Sequence, residues 1–477
     1  MRCVGSEFAV AGNVAVRTIA APMPQNELAH AFDHPLVIGV LALVGIALLA
    51  VFVRELVRMP RSLLALTATA FLDMVGLLMV GPLLPFYVME LHDRGDALFG
   101  LHLGVGTVNS ILVASYTAAQ LIASPWWGRF SDHRGRRPAL LIALGASVVA
   151  YLVFGFAGSL LVLLLSRLVQ GAGGGTVGVI QAYVADATAP QDRARALGWL
   201  SAATNLGVAL GPVLGTVALW LGEQDLAPGD AQFTIGRAAP GIFAALLCAL
   251  TMLFAWRYLP ESRGHSERAR RPWWEAIWHV VARTGQPSSR LIWTYAIAIG
   301  SFQGTSAVLA FFLNARFGVT AAEIGWFYLY IGAISVFARL LALGPLVDRL
   351  GEARLSRIGI VTLAAGLFGL PFAGSLPTLA LAVAMLPLGT AFTFPCVTAL
   401  LSRVVAAEER GLYMGMQQTF GGFARIAMPL VYGWLFDHVG VDAPYFVAGA
   451  LVLTTITLGF GFGAIAPKAK AGTAAGT

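Results

Sequence analysis

An arginine-rich motif separates two apolar segments in the first half of the chain. It reads Gly128-Arg129-Phe130-Ser131-Asp132-His133-Arg134-Gly135-Arg136-Arg137-Pro138. Its core, Gly128-x-x-x-Asp132-x-x-Gly135, recurs in the second half as Gly344-x-x-x-Asp348-x-x-Gly351. Three more residues recur at nearly the same offset: Arg193 with Arg410, Gly198 with Gly415, and Pro212 with Pro429. Separate features rarely share one offset by chance, so the chain is predicted to contain two homologous halves related by an axis along a membrane normal.

Composition places this chain among membrane proteins. Of its 477 residues, 58% are hydrophobic and only 12% are charged, whereas soluble chains carry roughly 25% charged residues. The net charge of +7 would suggest nucleic acid as a partner in a soluble protein. Here the basic residues stand between apolar segments, so we interpret them as topology signals and expect no nucleic-acid binding. The three cysteines are scattered and form neither a disulfide framework nor a zinc-ligand pattern.

Apolar segments long enough to cross a bilayer recur along the whole chain, since about 20 helical residues span its core. The predicted spans are 36–53, 63–89, 103–126, 138–157, 160–184, 197–220, 239–258, 291–313, 323–344, 355–374, 376–401, 412–435 and 443–465. We therefore expect an all-α membrane protein with 12 transmembrane helices in two pseudo-symmetric six-helix bundles. The first span, 36–53, has no counterpart in the repeat and is predicted to be an extra N-terminal helix. Alternatively, the chain starts near Met59.

The predicted organisation follows from these spans. It comprises a tail 1–60 containing helix 36–53, a bundle 61–258, a linker 259–290, a bundle 291–466 and a tail 467–477. Trp273, Trp274 and Trp278 follow near-helical spacing among charged residues, so the linker is expected to carry a helix on the membrane surface. Most Lys and Arg between spans fall on the side of the linker, which predicts that the linker and C-terminus are cytoplasmic and residues 1–35 outside.

The motif of 128–138 resembles the signature loop that the major facilitator superfamily carries between its second and third helices. In that family the loop latches the two halves on the cytoplasmic side. The resemblance implies gating roles for Gly128, Asp132, Gly135, Arg136 and Arg137, and for the copies Gly344, Asp348 and Gly351. The second copy has Glu352-Ala353 where two arginines would stand, so its latch is expected to be weaker.

A glycine-rich motif in the span 197–220 also resembles that family. Gly207-x-x-x-Gly211-Pro212-x-x-Gly215 is similar to the fifth-helix motif of its antiporters, although Thr216 replaces the final glycine. Chemically it is a packing motif, because Gly and Pro permit kinks and close helix contacts. As a family marker it favours export over import.

Asp73 is the strongest single candidate for a functional residue. Of the 24 Asp and Glu residues, it alone falls deep within a predicted span, and all eight His fall outside spans. A carboxylate in a low-dielectric cavity can exchange a proton near neutral pH. Leu72-Asp73 followed by Pro82 and Pro85 resembles the first helix of drug:proton antiporters, including tetracycline efflux proteins. We predict a role in proton coupling or cation binding; the alternative is that Asp73 neutralises a buried arginine.

Three arginines, Arg167, Arg339 and Arg425, lie inside predicted spans, and two of them, Arg167 and Arg425, join Asp73 as candidates for proton coupling. Arg167-x-x-Gln170-Gly171 resembles the family's fourth-helix motif, and a buried Arg usually marks function. A structural anchor for nearby backbone is the alternative. Arg425 either counters Asp73, binds an anionic group of a substrate, or bonds to backbone.

Polar and aromatic residues inside the spans are candidates for the wall of a central cavity. The polar ones are Asn109, Gln120, Gln181, Asn205, Gln303, Gln417 and Gln418, and the aromatic ones are Phe302, Trp326, Tyr328 and Tyr330. The sequence contains no phosphate-binding GxxxxGK loop, and no metal or nucleophile constellation stands out. We expect neither an enzyme nor a cofactor or metal, and the proton gradient as the energy source.

The function predicted from these features is a proton-coupled antiporter of the cell membrane that exports a small organic or drug-like molecule by alternating access. Its expected partners are that molecule, protons and the lipid bilayer, and a monomer is expected. A metabolite facilitator or proton symporter of the same fold is the first alternative. A non-transporting membrane sensor or enzyme is the second, but the paired gating motifs argue against it.

Overall fold

The structure is a computed structural model that describes residues 46, 54, 61–174, 179–181, 183–184, 188, 193–224, 236–259, 261, 280–406 and 409–458. Apart from Ile46, the predicted extra helix 36–53 lies outside these residues. So do the expected linker helix around Trp273–Trp278 and the tail 467–477. These three expectations therefore stay predictions.

The described residues are almost entirely helical, with one isolated β-bridge between Leu98 and Leu101. The helices of the first half are α1 (Arg61–Val80), α2 (Leu84–Asp93), α3 (Val105–Arg134), α4 (Arg136–Gly155), α5 (Leu160–Gly173), α6 (Arg193–Gly222) and α7 (Ala239–Tyr258). Those of the second half are α8 (Pro287–Phe317), α9 (Ile324–Phe337), α10 (Leu343–Leu350), α11 (Glu352–Gly369), α12 (Leu376–Val404), α13 (Arg410–His438) and α14 (Ala443–Leu458).

Every predicted span from 63 onward overlaps one of these helices or a consecutive pair of them, although α5 covers only Leu160–Gly173 of the span 160–184. The helices confirm the all-α class. Among the described residues, 9 helical segments are long and apolar enough to cross a membrane, and Leu160–Gly173 and Ala443–Leu458 are shorter apolar helices. Large apolar side chains such as Val149, Leu253 and Leu381 are exposed, as expected for a surface that contacts lipid. The count of 12 crossings stays a prediction.

Two spans are interrupted rather than continuous. A 3₁₀ turn over Gly81–Leu83 separates α1 from α2, because Pro82 and Pro85 each lack the N–H that a continuous helix would use. A π-helical stretch over Ala338–Ala342 separates α9 from α10. Such irregular turns are common at functional sites of membrane helices.

The helices pack in corresponding pairs. Within the first half, α1 packs on α6, α3 on α5, and α4 on α7; within the second, α8 packs on α13 and α11 on both α12 and α14. Between the halves, α3 packs against α13 and α6 against α9. The pairing is symmetric, since α3 and α6 hold in the first half the places that α9 and α13 hold in the second.

The glycines of the 207–215 motif serve close packing in this arrangement. A Cβ atom on Gly207 would lie 2.7 Å from the carbonyl oxygen of Phe71, and one on Gly211 would lie 2.9 Å from that of Val75. Both distances are too short for a side chain, so the motif lets α6 touch the backbone of α1. The motif's marker role for antiport stays a prediction.

The signature motif is less of a loop than the sequence suggested. Helix α3 continues through Gly128 to Arg134, and the connection to α4 is the single residue Gly135. Gly135 has φ 104°, and Gly351 has φ 74° at the corresponding place between α10 and α11. Only glycine adopts such backbone conformations at low cost. The expected loop over 128–138 is therefore wrong in extent, while its glycine turn is present in both halves.

Candidate functional site

A cavity of about 460 Å³ lies between the two halves and is lined by the three residues predicted to take part in proton coupling. Helices α1, α3, α4 and α5 form its first wall, and α8, α9 and α13 form its second. Three charged side chains line it: Asp73 and Arg167 on the first wall and Arg425 on the second. Residues far apart in sequence thus meet in one site, although their proposed roles are not tested by this geometry.

Asp73 lies on α1, two turns before the break at Gly81–Leu83, and only 7% of its surface is exposed. Its carboxylate is near enough to the hydroxyl groups of Tyr116 and Tyr151 to interact with them electrostatically. Both tyrosines line the cavity. Hydroxyl groups in a cavity wall can donate to an ionised carboxylate and accept from a protonated one.

Arg167 is buried on α5, and its guanidinium lies over the ring of Phe154 at 4.9 Å from the ring centroid. Within the described part of the chain, its Nε and Nη2 atoms find no hydrogen-bond partner, and neither does either amide atom of Gln170. Both residues line the cavity. Buried donors normally have partners because leaving them unpaired is costly. In this conformation these atoms are therefore buried and unsatisfied next to the cavity.

Arg425 projects from the middle of α13 and is half-buried. Its Nη2 atom lies 3.4 Å from the hydroxyl of Tyr295 and 3.5 Å from Oε1 of Gln418, which are long distances for hydrogen bonds. No carboxylate of the described residues lies within ion-pair distance of it. Of its three possible roles, countering Asp73 is not seen in this conformation.

Three of the seven polar residues predicted for a substrate cavity lie at the wall of this one. Asn109, Gln120 and Gln303 line the cavity. Asn109 Nδ2 donates to the carbonyl oxygen of Ala307 in the other half at 2.7 Å, and Gln120 Nε2 donates to that of Gly174 at 2.9 Å. Asn109 therefore joins the two halves at the cavity as well as lining it.

The other four polar candidates do not line this cavity. Gln181 is exposed, and Gln417 is fully buried with its amide bonded to Thr398 at 3.1 Å. Asn205 Oδ1 accepts a hydrogen bond of 2.7 Å from Arg339, which sits in the π-helical stretch of the other half. Gln418 is exposed beside Arg425. Three of these side chains therefore bond to other residues, Thr398, Arg339 and Arg425, and Gln181 is exposed.

Among the aromatic candidates only Tyr328 lines the cavity, while Phe302, Trp326 and Tyr330 do not. Sequence analysis missed Tyr116 and Tyr151, which do. The one available signal for Tyr116 was its position one helical turn before Gln120, on the same face of α3. Tyr151 stands among apolar residues of α4, where nothing marks it as a cavity residue.

Between described residues, the ion pairs of the gating motifs lie inside their own halves. Arg136 Nη1 lies 2.7 Å from Oδ1 of Asp132 and donates to the hydroxyl of Ser131 at 2.6 Å. Arg137 donates to the carbonyl oxygen of Trp256. In the second copy, Asp348 is exposed and Glu352 pairs with Arg403 of α12. We name the end of the bundle that carries Gly128–Pro138 and Gly344–Gly351 the latch side; gating by these residues stays a prediction.

The opposite end, around Gly104–Thr107 and Gly433–Asp437, we name the far side. There the carboxylate of Asp437 on α13 accepts hydrogen bonds from the backbone N–H groups of Gly106 at 2.9 Å and Thr107 at 2.7 Å, at the start of α3. A Cβ atom on Gly106 would lie 3.0 Å from the carbonyl oxygen of Gly433. The halves are thus in backbone contact on the far side. The sequence placed Asp437 near a span end but gave it no partner.

Comparison with known proteins agrees with this architecture. Residues 66–342 and 291–476 match the model of a protein family described as Major Facilitator Superfamily. The tetracycline resistance protein, class B, of Escherichia coli is 28% identical over 373 residues, which cover 77% of this chain and 86% of that protein. Multidrug resistance protein 2 of Bacillus subtilis (strain 168) is 25% identical over 412 residues, 82% of this chain and 93% of that one.

Solved structures share the fold. The human organic anion transporter MFSD10 (TETRAN) superposes with a TM-score of 0.60 at 22% identity, covering 84% of this chain and all 100% of that one. A D-xylose-proton symporter superposes with a TM-score of 0.65 at 18% identity, covering 86% of this chain and 98% of that one. Their names differ in substrate and in coupling, so these likenesses establish the architecture and leave the transported molecule open.

Proposed function

The chain belongs to the Major Facilitator Superfamily, and from that premise we propose that it is a proton-coupled antiporter that exports a small organic or drug-like molecule. Like its family and its structural relatives, it is a multi-pass membrane transporter and not an enzyme. Members of this fold work without a cofactor. Proton coupling, antiport and export are the parts that belong to the proposal.

One observation carries the proposal: a buried carboxylate, Asp73, lines the cavity between the halves together with two arginines. In a site of low dielectric constant, the ionised carboxylate is held only while a cation or donor faces it, and otherwise the protonated form is favoured. A cationic group of a substrate and a proton would then compete for Asp73. Competition for one site is the requirement for exchange of the two across a membrane.

The proposed direction of transport, export, depends on which end of the molecule is closed and which end faces the cytoplasm. The halves touch on the far side, whereas the ion pairs of the latch side form inside each half. Most Lys and Arg between spans lie on the latch side, so we assign this side to the cytoplasm. The cavity is then loaded from the cytoplasm or the inner leaflet, and the proton that resets the carrier comes from outside.

The net charge of the cavity favours a second candidate function. With Asp73 ionised, Asp73, Arg167 and Arg425 leave a single positive charge, and protonation of Asp73 adds another. A purely anionic molecule would bind better to the protonated cavity, and by linkage it would travel with the proton. A proton symporter for an organic acid is therefore the alternative function.

The direction in which protons move during transport separates these functions. Purified protein is reconstituted into liposomes that contain a pH-sensitive dye, and ciprofloxacin, an aromatic molecule with one acid and one basic group, is added outside. An antiporter releases protons as the probe enters, so the lumen becomes more alkaline than in protein-free liposomes. Acidification would indicate symport, and probe entry without a pH change would indicate an uncoupled facilitator; either result contradicts the proposal.

A further inference from the structure

We propose that the transported molecule is amphoteric, with an acid group that binds Arg425 on one wall of the cavity and a basic group that faces Asp73 on the other. The inference rests on the antiport proposed above and names the substrate class of the same site. It assigns Arg425 as the residue that selects for the acid group.

The first step is the state of Arg425. Its guanidinium offers several N–H donors in a fixed plane, yet its described partners are the neutral oxygens of Tyr295 and Gln418 at 3.4 Å and 3.5 Å. Such contacts leave the charge of a half-buried cation uncompensated. A carboxylate would make two parallel charge-assisted hydrogen bonds with the same fork, which is the geometry that arginine prefers. The second wall is therefore a site for an acid group.

The second step is that Arg425 carries the only charge of its wall among the described cavity residues. The other lining residues of that wall are Ile299, Gln303, Ser306, Ala307 and Tyr328, all of them neutral. The opposite wall carries both signs, with Asp73 and Arg167. A molecule that spans the cavity thus meets a cation at one end and a carboxylate with a second cation at the other.

The third step is the sign of coupling. Because protonation of Asp73 makes the cavity more positive, it strengthens the binding of a plain acid, and the reciprocal effect makes the acid favour proton uptake. That is cotransport. Antiport requires that the substrate weaken proton binding, which a positive group beside Asp73 does. The substrate must therefore bind Arg425 through an acid group and weaken proton binding at Asp73 through a positive group. A molecule with both groups is amphoteric.

The body between these two groups should be apolar and aromatic. Met74, Leu77 and Leu78 of α1 line the same cavity, and Tyr116, Tyr151 and Tyr328 add aromatic faces to it. Pockets for organic molecules usually combine such an apolar wall with a few polar groups that fix orientation. Aromatic faces also attract flat ring systems and cationic groups.

The test uses three probes that share one aromatic body: ciprofloxacin, which carries both charges, its ethyl ester, which keeps only the basic group, and N-acetylciprofloxacin, which keeps only the acid. Binding to the purified protein at neutral pH is measured by the rise in thermal stability. Ciprofloxacin should stabilise the parent most. Arg425→Gln should weaken binding of ciprofloxacin and the acetyl derivative by roughly tenfold without weakening the ester, because removal of the cation makes the cavity less positive. Arg425→Lys should restore part of the loss.

Asp73→Asn should give the complementary pattern: ciprofloxacin and the ester bind more weakly, whereas the acetyl derivative binds at least as tightly as to the parent, because loss of the carboxylate makes the cavity more positive. Arg354→Gln is the matched control, since Arg354 is exposed at the start of α11 and does not line the cavity. Any variant that melts well below the parent without ligand is replaced by Arg425→Met or Asp73→Ser, which also remove the charge.

Several outcomes overturn the inference: no stabilisation by any of the three probes, equal binding of all three by the parent, or parent-like binding by Arg425→Gln. Its failure is distinguishable from that of antiport. An alkaline shift in the liposome test with unchanged binding by Arg425→Gln rejects the substrate class alone. An acid shift with the two complementary binding patterns intact rejects antiport alone.

Discussion

The two ends of the molecule differ, although both are built from the same repeat. On the far side, glycines allow the halves to touch: a Cβ atom on Gly325 would lie 2.9 Å from the carbonyl oxygen of Pro212, and one on Gly106 would lie 3.0 Å from that of Gly433. On the latch side, Gly128 and Gly344 have no atom within 4 Å of the position where a Cβ would stand. Among the described residues, Gly325 and Gly106 thus make close backbone contacts between the halves on the far side, whereas Gly128 and Gly344 make none on the latch side.

This difference shows which contacts hold the conformation. On the far side, Asp437 bridges the halves by accepting two N–H groups at a helix start, and a negative charge at that place stabilises by about 0.3–1 kcal/mol at exposed sites. On the latch side, the pairs Asp132–Arg136 and Glu352–Arg403 each lie within one half. Ion pairs inside one half give rigidity to that half but do not hold the two halves together.

The largest effect is expected from blocking the far-side contact. The Cβ position of Gly433 already lies against Ser110 and the carbonyl oxygen of Gly106, so Gly433→Leu should keep the halves apart on that side. Transport by reconstituted protein should fall by at least about tenfold, because a misfit of one packed side chain costs typically about 1–3 kcal/mol. Gly374→Leu, at an exposed position with no atom within 4 Å, is the control. Parent-like transport by Gly433→Leu would show that far-side closure is not needed.

A smaller but clear loss is expected at the latch side of the first half. Asp132→Asn and Arg136→Ala each remove the ion pair of 2.7 Å, which we expect to position α3 and α4 for contact with the other half when that side closes. Charge-assisted hydrogen bonds contribute roughly 1.5–3 kcal/mol, so transport should fall several-fold while membrane insertion stays normal. Parent rates in both variants would reject the gating role.

Asp437→Asn should weaken the closure of the far side without abolishing it. The amide keeps one acceptor oxygen for the N–H groups of Gly106 and Thr107 but loses the charge. Opening of the far side should increase, and a cysteine at the buried position Ser110 should react roughly fivefold faster with a membrane-impermeant thiol reagent added on that side. A slower or unchanged reaction would mean that Asp437 does not hold this end closed.

The smallest effect is expected from the second copy of the gating motif. Asp348 is exposed on α10, and Glu352 stands where the first copy has Arg136. Without that arginine the aspartate has no equivalent of the pair seen in the first half. Asp348→Asn should therefore change the transport rate by less than about twofold, in keeping with the weak contribution of exposed charges. A loss as large as that of Asp132→Asn would make the two copies equivalent.

The sequence was most informative where a residue was chemically out of place. Asp73, Arg167 and Arg425 stand in apolar helices, and all three line the cavity. Gln417 and Asn205 are equally polar, but they bond to Thr398 and Arg339 instead. In helices that are apolar on every face, periodicity does not reveal which face a side chain occupies, so such partners were not predictable.

Contacts between residues far apart in sequence were equally unpredictable. Asp437 and the N–H group of Gly106 are 331 positions apart in sequence, and nothing local indicates that one caps the other. The motif around Gly128–Pro138, by contrast, needs only local geometry: a glycine with positive φ at Gly135 and an ion pair one helical turn apart. Local geometry was predictable from the motif, although the length of α3 beyond Gly128 was not.

The central claim is that a proton at Asp73 drives transport, and it is tested most directly by flux in proteoliposomes under an imposed pH gradient. Asp73→Asn removes the titratable group of the cavity, whereas Asp93→Asn removes an exposed carboxylate at the end of α2 and is the matched control. We predict that Asp73→Asn abolishes gradient-driven accumulation of ciprofloxacin, leaves exchange down its own gradient partly intact, and differs in this from Asp93→Asn. Full gradient-driven accumulation by Asp73→Asn would contradict the account, and coupling would then have to run through a carboxylate near a span end, such as Glu323 or Asp437.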